Sequence, residues 1–318
     1  MTGAPRVLAV FGPTATGKSA VAHALARRLG GEIVVCDPFQ RYRGLEIAAD
    51  SPRPAERADV PYHLVGDLDV TQASSAGAFA AAAHAAVDDI LHRGRVPIVA
   101  GGTGLYLRAA LCDLRFPPPP DPAVRAWADA LVRAGGHQAA DELRRRDPAA
   151  HAAVDVANPR RLARALERAA TGADAGTGLF TAPHRVPTLL VALERPRDVI
   201  DRLIAVRVRR ELGEGLVAEL EAALDTPGVA REPLQVIGAA EVAAVRAGAL
   251  DAGALPGRLE ARTRRLARRQ LQWLRRMPDA VAVPLGDGPA EAACGAIEDL
   301  WRRARTGARD ACPPGGPP

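Results

Sequence analysis

Lysine is almost missing from this 318-residue chain: of its 42 basic residues one is lysine and the rest are arginine. Aromatic residues are scarce at 3%. The four cysteines, Cys36, Cys112, Cys294 and Cys312, include no C-x-x-C pair and have no histidine at ligand spacing. That scatter argues against a disulfide framework and against a zinc module. No apolar run approaches the ~18 residues that a membrane span needs. The N-terminus runs almost at once into the first apolar segment, without the pattern of a secretory leader, so the expectation is a cytoplasmic protein with no membrane association.

What the chain does have is 48% hydrophobic residues, enough for a substantial core in one or two domains. The net charge of +5 permits a polyanionic partner without requiring one. Arginine, alanine, glycine and proline are abundant together, a compositional bias, so no arginine cluster is significant merely for being basic.

The single lysine, Lys18, stands in Gly12-Pro13-Thr14-Ala15-Thr16-Gly17-Lys18-Ser19, a full match to G-x-x-x-x-G-K-[ST]. An apolar run, Arg6 to Phe11, precedes it, and a segment with helical spacing, Ser19 to Leu29, follows and stops at Gly30-Gly31. Strand, glycine-rich loop and helix in this order cradle phosphates. Successive backbone N–H groups point inward at a helix N-terminus, the lysine ammonium neutralises an outer phosphate, and the Ser19 hydroxyl can ligate Mg²⁺. The motif leaves open which polyphosphate is bound: a kinase and an enzyme that expels diphosphate look alike here.

Further apolar runs at Glu32–Cys36, Val96–Ala100 and Thr188–Leu193 alternate with helical segments, one of them Ala76 to His92. This predicts an α/β fold, a P-loop NTPase-like parallel sheet flanked by helices, with ligands beyond the carboxyl ends of the strands. Asp37 and Thr103 both fall at such ends. Asp37 reads equally as a turn or cap residue and as a carboxylate beside the phosphates. Thr103, in Gly101-Gly102-Thr103-Gly104, is either part of a turn or a hydroxyl facing the same cleft. After the proline run Phe116 to Pro120, residues 121–172 read as a helical insertion domain. The expected division is a first core part at 1–115, an insertion at 116–185, a second core part with a basic helix at 186–306, and a disordered tail at 307–318. Within Arg258–Arg276, Leu259, Leu266, Trp273 and Met277 share one helical face, and arginines fill the rest. That pattern is either a solvated face or a surface for phosphate backbones, with Arg160, Arg161 and Arg164 as a second such surface.

Taken together, these residues resemble the tRNA dimethylallyltransferases, also called tRNA isopentenyltransferases or the IPP transferase family. The likeness extends from the P-loop to about Arg276. It includes Asp37 with Gln40 and Tyr42-Arg43-Gly44, Val60-Pro61 with His63-Leu64, and Gly101 to Tyr106. Further on it includes Asn158-Pro159-Arg160-Arg161 with Arg164 to Glu167, Gly215-Leu216, Ile237-Gly238 and Thr263 to Arg275. The resemblance implies transfer of a dimethylallyl group from dimethylallyl diphosphate to N6 of adenosine 37, in the anticodon stem-loop of tRNAs reading codons that begin with U. It implies that Gly12 to Ser19 and Arg207 hold diphosphate with Mg²⁺, that Asp37 takes the proton from the adenine amine, and that Thr103 stabilises the bridging oxygen. It assigns tRNA contacts to Asp37, Pro38, Phe39, Gln40, Arg160, Arg161, Arg164, Arg265, Arg268, Arg269, Gln270, Trp273 and Arg275, in an enzyme expected to act as a monomer.

The chain departs from the family pattern in four places. Pro38 stands where the family has serine. Ala48 to Pro52 replaces a Gly-Thr-Ala-Lys-Pro stretch, Leu203 replaces an arginine, and Ala239-Ala240 replaces a tyrosine and a polar residue. The changes at Ala48 to Ser51 and at Ala239-Ala240 motivate the alternative of a prenyltransferase acting on a free adenine nucleotide. The loop alone would also allow a P-loop kinase for a small metabolite, and a non-catalytic tRNA-binding relative is a further alternative.

Overall fold

The computed structural model describes residues 4–117, 120–173 and 179–306. Six strands form one wholly parallel sheet in the order β3-β2-β4-β1-β5-β6. They are β1 (Val7–Phe11), β2 (Gly31–Val35), β3 (Tyr62–His63), β4 (Val96–Gly101), β5 (Thr188–Glu194) and β6 (Val281–Pro284). Every residue of β1 is buried, as an unbroken apolar run requires when a parallel strand is covered on both faces. The four strands that the apolar runs predict are the inner ones. The two additions lie at the edges, where β3 has only two residues and β6 has one buried residue in four, so neither leaves an apolar signature.

The sheet is flanked by α1 (Lys18–Leu29), α2 (Pro54–Asp59), α3 (Ala76–His92) and α4 (Gly104–Leu111). Strand periodicity of two sends Leu8 and Val10, Ile33 and Val35, and Val191 and Leu193 to one face. There they meet Val21 and Leu25 of α1, with Ile297 and Trp301 from a C-terminal helix described below.

The segment Leu114–Leu179 forms a second compact unit, and the described residues on either side of it form the first. Its helices are α5 (Pro122–Ala134), α6 (Gly136–Arg146), α7 (Pro148–Ala153) and α8 (Pro159–Thr171). They enclose Ala128, Ala139, Leu143, Leu162, Ala165 and Leu166. Three of them start in the same way: Asp121, Asp147 and Asn158 each accept a backbone N–H of the first turn, and a proline follows at the first helical position. Each such cap contributes about 1 kcal/mol, and the proline loses no hydrogen bond there.

The first unit resumes with β5, α9 (Arg197–Gly213), α10 (Leu216–Asp225), α11 (Ala239–Arg246), α12 (Leu255–Leu274), β6 and α13 (Cys294–Thr306). Ile204, Val208, Leu220, Val242, Leu259 and Ala267 pack α9 to α12 into a helical layer that also buries Tyr42, Leu45 and Ala48. Cys36, Cys112 and Cys294 are buried free thiols. The expected tail at 307–318, Cys312 included, and Pro118-Pro119 of the proline run lie outside the described residues. Among those described, no helix is long and apolar enough to cross a membrane.

Sheet register decides where the functional loops emerge. Phe11 is level with Gly101 and Val35 with Ala100, and the Cys36 N–H donates to the Ala100 carbonyl. Gly12, Asp37 and Gly102 therefore leave the sheet side by side at its C-terminal edge.

Candidate active site

The loop from Gly12 to Ser19 turns tightly into α1. Gly17 has φ +90, and a Cβ there would stand 2.4 Å from that of Ala290, so both conformation and space require glycine. The Thr16 hydroxyl donates to the Pro13 carbonyl at 2.8 Å and braces the loop from within. No acidic residue occupies the first turn of α1, so the positive end of the helix dipole is left for an anion. Lys18 folds back to donate to the Pro13 carbonyl at 2.8 Å. Its pKa is pulled down to about 8 by removal from water and by the neighbouring Arg207 guanidinium, against the opposing pull of Asp37 and Asp50.

Thr14, Ala15, Thr16, Gly17, Lys18 and Ser19 line a cavity of about 990 Å³ together with Asp37, Gly102, Arg207 and Gln270. Asp37 accepts the Phe39 N–H at 2.9 Å in a tight local turn. Removal from water raises its pKa, outweighing the backbone N–H groups of Phe39 and Gln40 and the Lys18 and Arg207 cations, which lower it. Both readings of this residue thus describe one side chain: it closes a turn and presents a carboxylate of raised basicity to the phosphate cradle. Phe39 packs on the helical layer, and the Gln40 amide donates to the Ala49 and Asp50 carbonyls at 3.1 and 3.2 Å, so these two neighbours of Asp37 hold structure as well as facing the site. Pro38, between Asp37 and Phe39, is half-buried.

Arg207 reaches across from α9 to donate to the Thr14 hydroxyl at 2.9 Å, and it pairs with Asp50 at 3.0 Å and Glu211 at 2.6 Å. Thr103 precedes α4 without capping it, so its hydroxyl is not used in the helix start. Gly101 and Gly102 line the cavity and Thr103 itself does not. Among the described residues no cluster of three or more histidine, cysteine or carboxylate side chains is placed to cage a metal.

The basic helix α12 divides in two. Gln270, which the sequence groups with RNA-facing residues, is turned inward at 5% exposure, and its Oε1 accepts the Thr14 N–H at 2.7 Å. Added Cβ atoms at Gly102 and Gly104 would stand 2.5 Å from Gln270 and 2.4 Å from Trp273, so this helix lies directly on the glycine-rich turn after β4. Trp273 also meets the Phe180 ring at 5.1 Å, and the Arg276 guanidinium sits 3.6 Å from the centroid of the Phe180 ring. On the outer face Arg262 and Arg264 are tied to Glu241 and Glu260. Arg265, Arg268, Arg269 and Arg275 are exposed. In the second unit Arg160 and Arg161 are exposed in the first turn of α8, where cations oppose the helix dipole, while Arg164 pairs with Glu167.

Residue patterns gave no sign of several groups at the site. Arg195 donates to the Thr16 carbonyl at 3.1 Å and to the Gly286 and Gly288 carbonyls, fastening the phosphate loop to the segment after β6. Asp50, Arg210 and Glu211 surround Arg207. Apart from the Arg207–Glu211 pair, one turn apart on α9, these contacts join distant parts of the chain, and no local pattern announces them.

A glycine-rich cradle with a buffered lysine, at the C-terminal edge of a parallel sheet flanked by helices, places the chain in the class of P-loop α/β proteins. The family follows from comparison. The family described as IPP transferase matches residues 40–277, and one described as isopentenyl transferase matches residues 5–61. A tRNA dimethylallyltransferase of Kineococcus radiotolerans is 42% identical over 90% of this chain and 93% of its own length. One from Mycobacteroides abscessus is 40% identical over 93% of this chain and 98% of its own. The crystal structure of the full-length tRNA isopentenylpyrophosphate transferase from Bacillus halodurans superposes with a TM-score of 0.71 at 28% identity, covering 95% of this chain and 97% of that one. The chain belongs to the IPP transferase family.

Proposed function

We propose that this protein is a tRNA dimethylallyltransferase, moving a dimethylallyl group from dimethylallyl diphosphate to N6 of adenosine 37 in tRNAs that read codons beginning with U. The observation that carries the reading is the meeting of Asp37 with Lys18 and Arg207 in one cavity, a carboxylate made more basic by its surroundings facing a cradle for phosphates. A kinase uses a cradle and a proton acceptor as well; what favours prenyl transfer is that the same residues lie within the matches to the isopentenyl and IPP transferase families. The extent of the likeness to tRNA-modifying relatives, over nine-tenths of the chain, favours tRNA over a free nucleotide as acceptor.

In this reading the loop N–H groups, Lys18 and Arg207 hold the diphosphate. The N6–C1 bond forms as the C1–O bond breaks, the electron pair leaves with diphosphate, and Asp37 accepts the amine proton. Thr103, next to the cavity-lining Gly102 but not itself on the cavity wall, is assigned to the bridging oxygen by the family resemblance alone, as a donor that would offset charge developing in the transition state. Ser19, exposed at the cavity wall, suits a Mg²⁺ held mainly by phosphate oxygens, as is usual for this ion where a protein offers no carboxylate cage. When bound, the ion neutralises leaving-group charge. For N6 to reach Asp37 the adenine must leave its stack, with Arg160, Arg161, Arg265, Arg268 and Arg275 taking the RNA backbone. The enzyme is assigned to the cytoplasm as a monomer.

The test is to incubate the protein with dimethylallyl diphosphate, Mg²⁺, free AMP and an unmodified tRNA transcript that reads a UNN codon, then identify the products by nuclease digestion and mass spectrometry. One added C5H8 on the fragment holding adenosine 37 is expected. Unmodified RNA alongside a prenylated free nucleotide overturns the reading.

A further inference from the structure

Asp50 is placed where an anionic substrate has to go. It lines the cavity beside Lys18, pairs with Arg207 at 3.0 Å, and also holds Arg210. Arg207 thus faces three carboxylates, those of Asp50, Glu211 and Asp37. A diphosphate brings about three more negative charges against the same guanidinium, and at such distances like charges repel strongly.

The pair is built to be broken. Asp50 has φ +52, a conformation that aspartate, asparagine and glycine tolerate. The backbone around it is fixed: Glu219 accepts the Ile47 and Ala48 N–H groups at 2.8 Å, and Gln40 donates to the Ala49 and Asp50 carbonyls. Only the side chain is left to move. Asp50 is 36% exposed and Arg210 is 44% exposed, so water compensates both when they part. The neighbouring Ser51 hydroxyl lines the same cavity, buried and with no hydrogen-bond partner, a donor waiting for an acceptor.

We propose that Asp50 is an internal competitor for the substrate's diphosphate, occupying Arg207 and Arg210 while the site is empty, and that it makes the site discriminate against diphosphate arriving without a divalent counter-ion. The inference rests on the reading of the cradle as a diphosphate site. A metal-complexed diphosphate carries less charge, and it displaces or tolerates the carboxylate at lower cost. Asp50 acts here on specificity and not on the bond-making step.

The test is calorimetric titration of the full-length protein with inorganic diphosphate, once with EDTA and once with excess Mg²⁺. It compares the wild type with Asp50→Asn and Asp50→Gly, both compatible with the positive φ. A melting curve checks that each variant is folded, and either one suffices. With EDTA the variants should bind about tenfold more tightly than the wild type, and the gain should shrink with Mg²⁺. Equal affinity with EDTA overturns the proposal and leaves the ion pair a structural brace. Weaker binding with Mg²⁺ also overturns it, by making Asp50 a metal ligand. Failure of the wild type to bind diphosphate under either condition overturns both this proposal and the reading beneath it.

Discussion

Asp37 and Lys18 owe their chemistry to one shared environment with opposite effects on the two. The same removal from water that makes the carboxylate a better base makes the ammonium a weaker cation, pulled down to about 8. The pH dependence of kcat/KM for dimethylallyl diphosphate is therefore expected to be bell-shaped. It rises as Asp37 loses its proton, above the ordinary carboxylate range, and falls near pH 8 as Lys18 loses its own. In kcat the alkaline limb should move upward, because bound diphosphate holds the lysine protonated. An alkaline limb at the same pH in both parameters would remove Lys18 from it. Asp37→Ala should lower kcat by roughly 10²–10⁴ while leaving diphosphate affinity largely intact. Unchanged single-turnover rates with saturating tRNA would take the base role away from Asp37. Arg207 illustrates why a site is only partly legible in a sequence. The P-loop and Asp37 stand out because strand, loop and helix are contiguous, whereas the bonds of Arg207 to Thr14 and Asp50 and of Gln270 to Thr14 join segments more than 150 residues apart.

Helix α12 shows how one element serves two ends. Its inner face, through Gln270 and Trp273, sets the phosphate loop and the glycine turn after β4, and its outer face presents arginines. Helical spacing predicts that an apolar face exists, and the apolar positions it names do point inward. It gives no sign that a glutamine joins them, since burial of a polar side chain depends on a partner elsewhere, here a backbone N–H. The strands obey the same logic: the inner ones are readable because each is covered on both faces, and the edge strands are not. Two outcomes follow for this helix. Gly104→Ala should destabilise the fold by about 1–3 kcal/mol, because its methyl would overlap the Trp273 ring at 2.4 Å; an unchanged denaturation midpoint would show that the helix yields freely. Replacing Arg265 and Arg268 with glutamine should raise KM for tRNA at unchanged KM for dimethylallyl diphosphate. It should also flatten the logarithmic salt dependence of tRNA binding by about one for each phosphate that is no longer neutralised. An unchanged slope would assign that face to solvent alone.

For the molecule as a whole, the fold class was readable because short apolar runs alternate with helices, and the family because motifs recur in order along most of the chain. The modest net charge of +5 carries little by itself; what matters is that one unit holds the cradle while exposed arginines occur on both. The central claim is that the lone lysine grips a diphosphate that leaves, and not a nucleotide that donates phosphate. The most direct measurement is a rapid-quench single turnover. Enzyme in excess is mixed with unmodified tRNA and dimethylallyl diphosphate carrying separate labels in the prenyl carbon and the diphosphate, with ATP present. Prenyl label should enter RNA at the rate at which free diphosphate appears, one for one, with ATP untouched. Hydrolysis of ATP, or prenyl label found only in free nucleotide, would contradict the account.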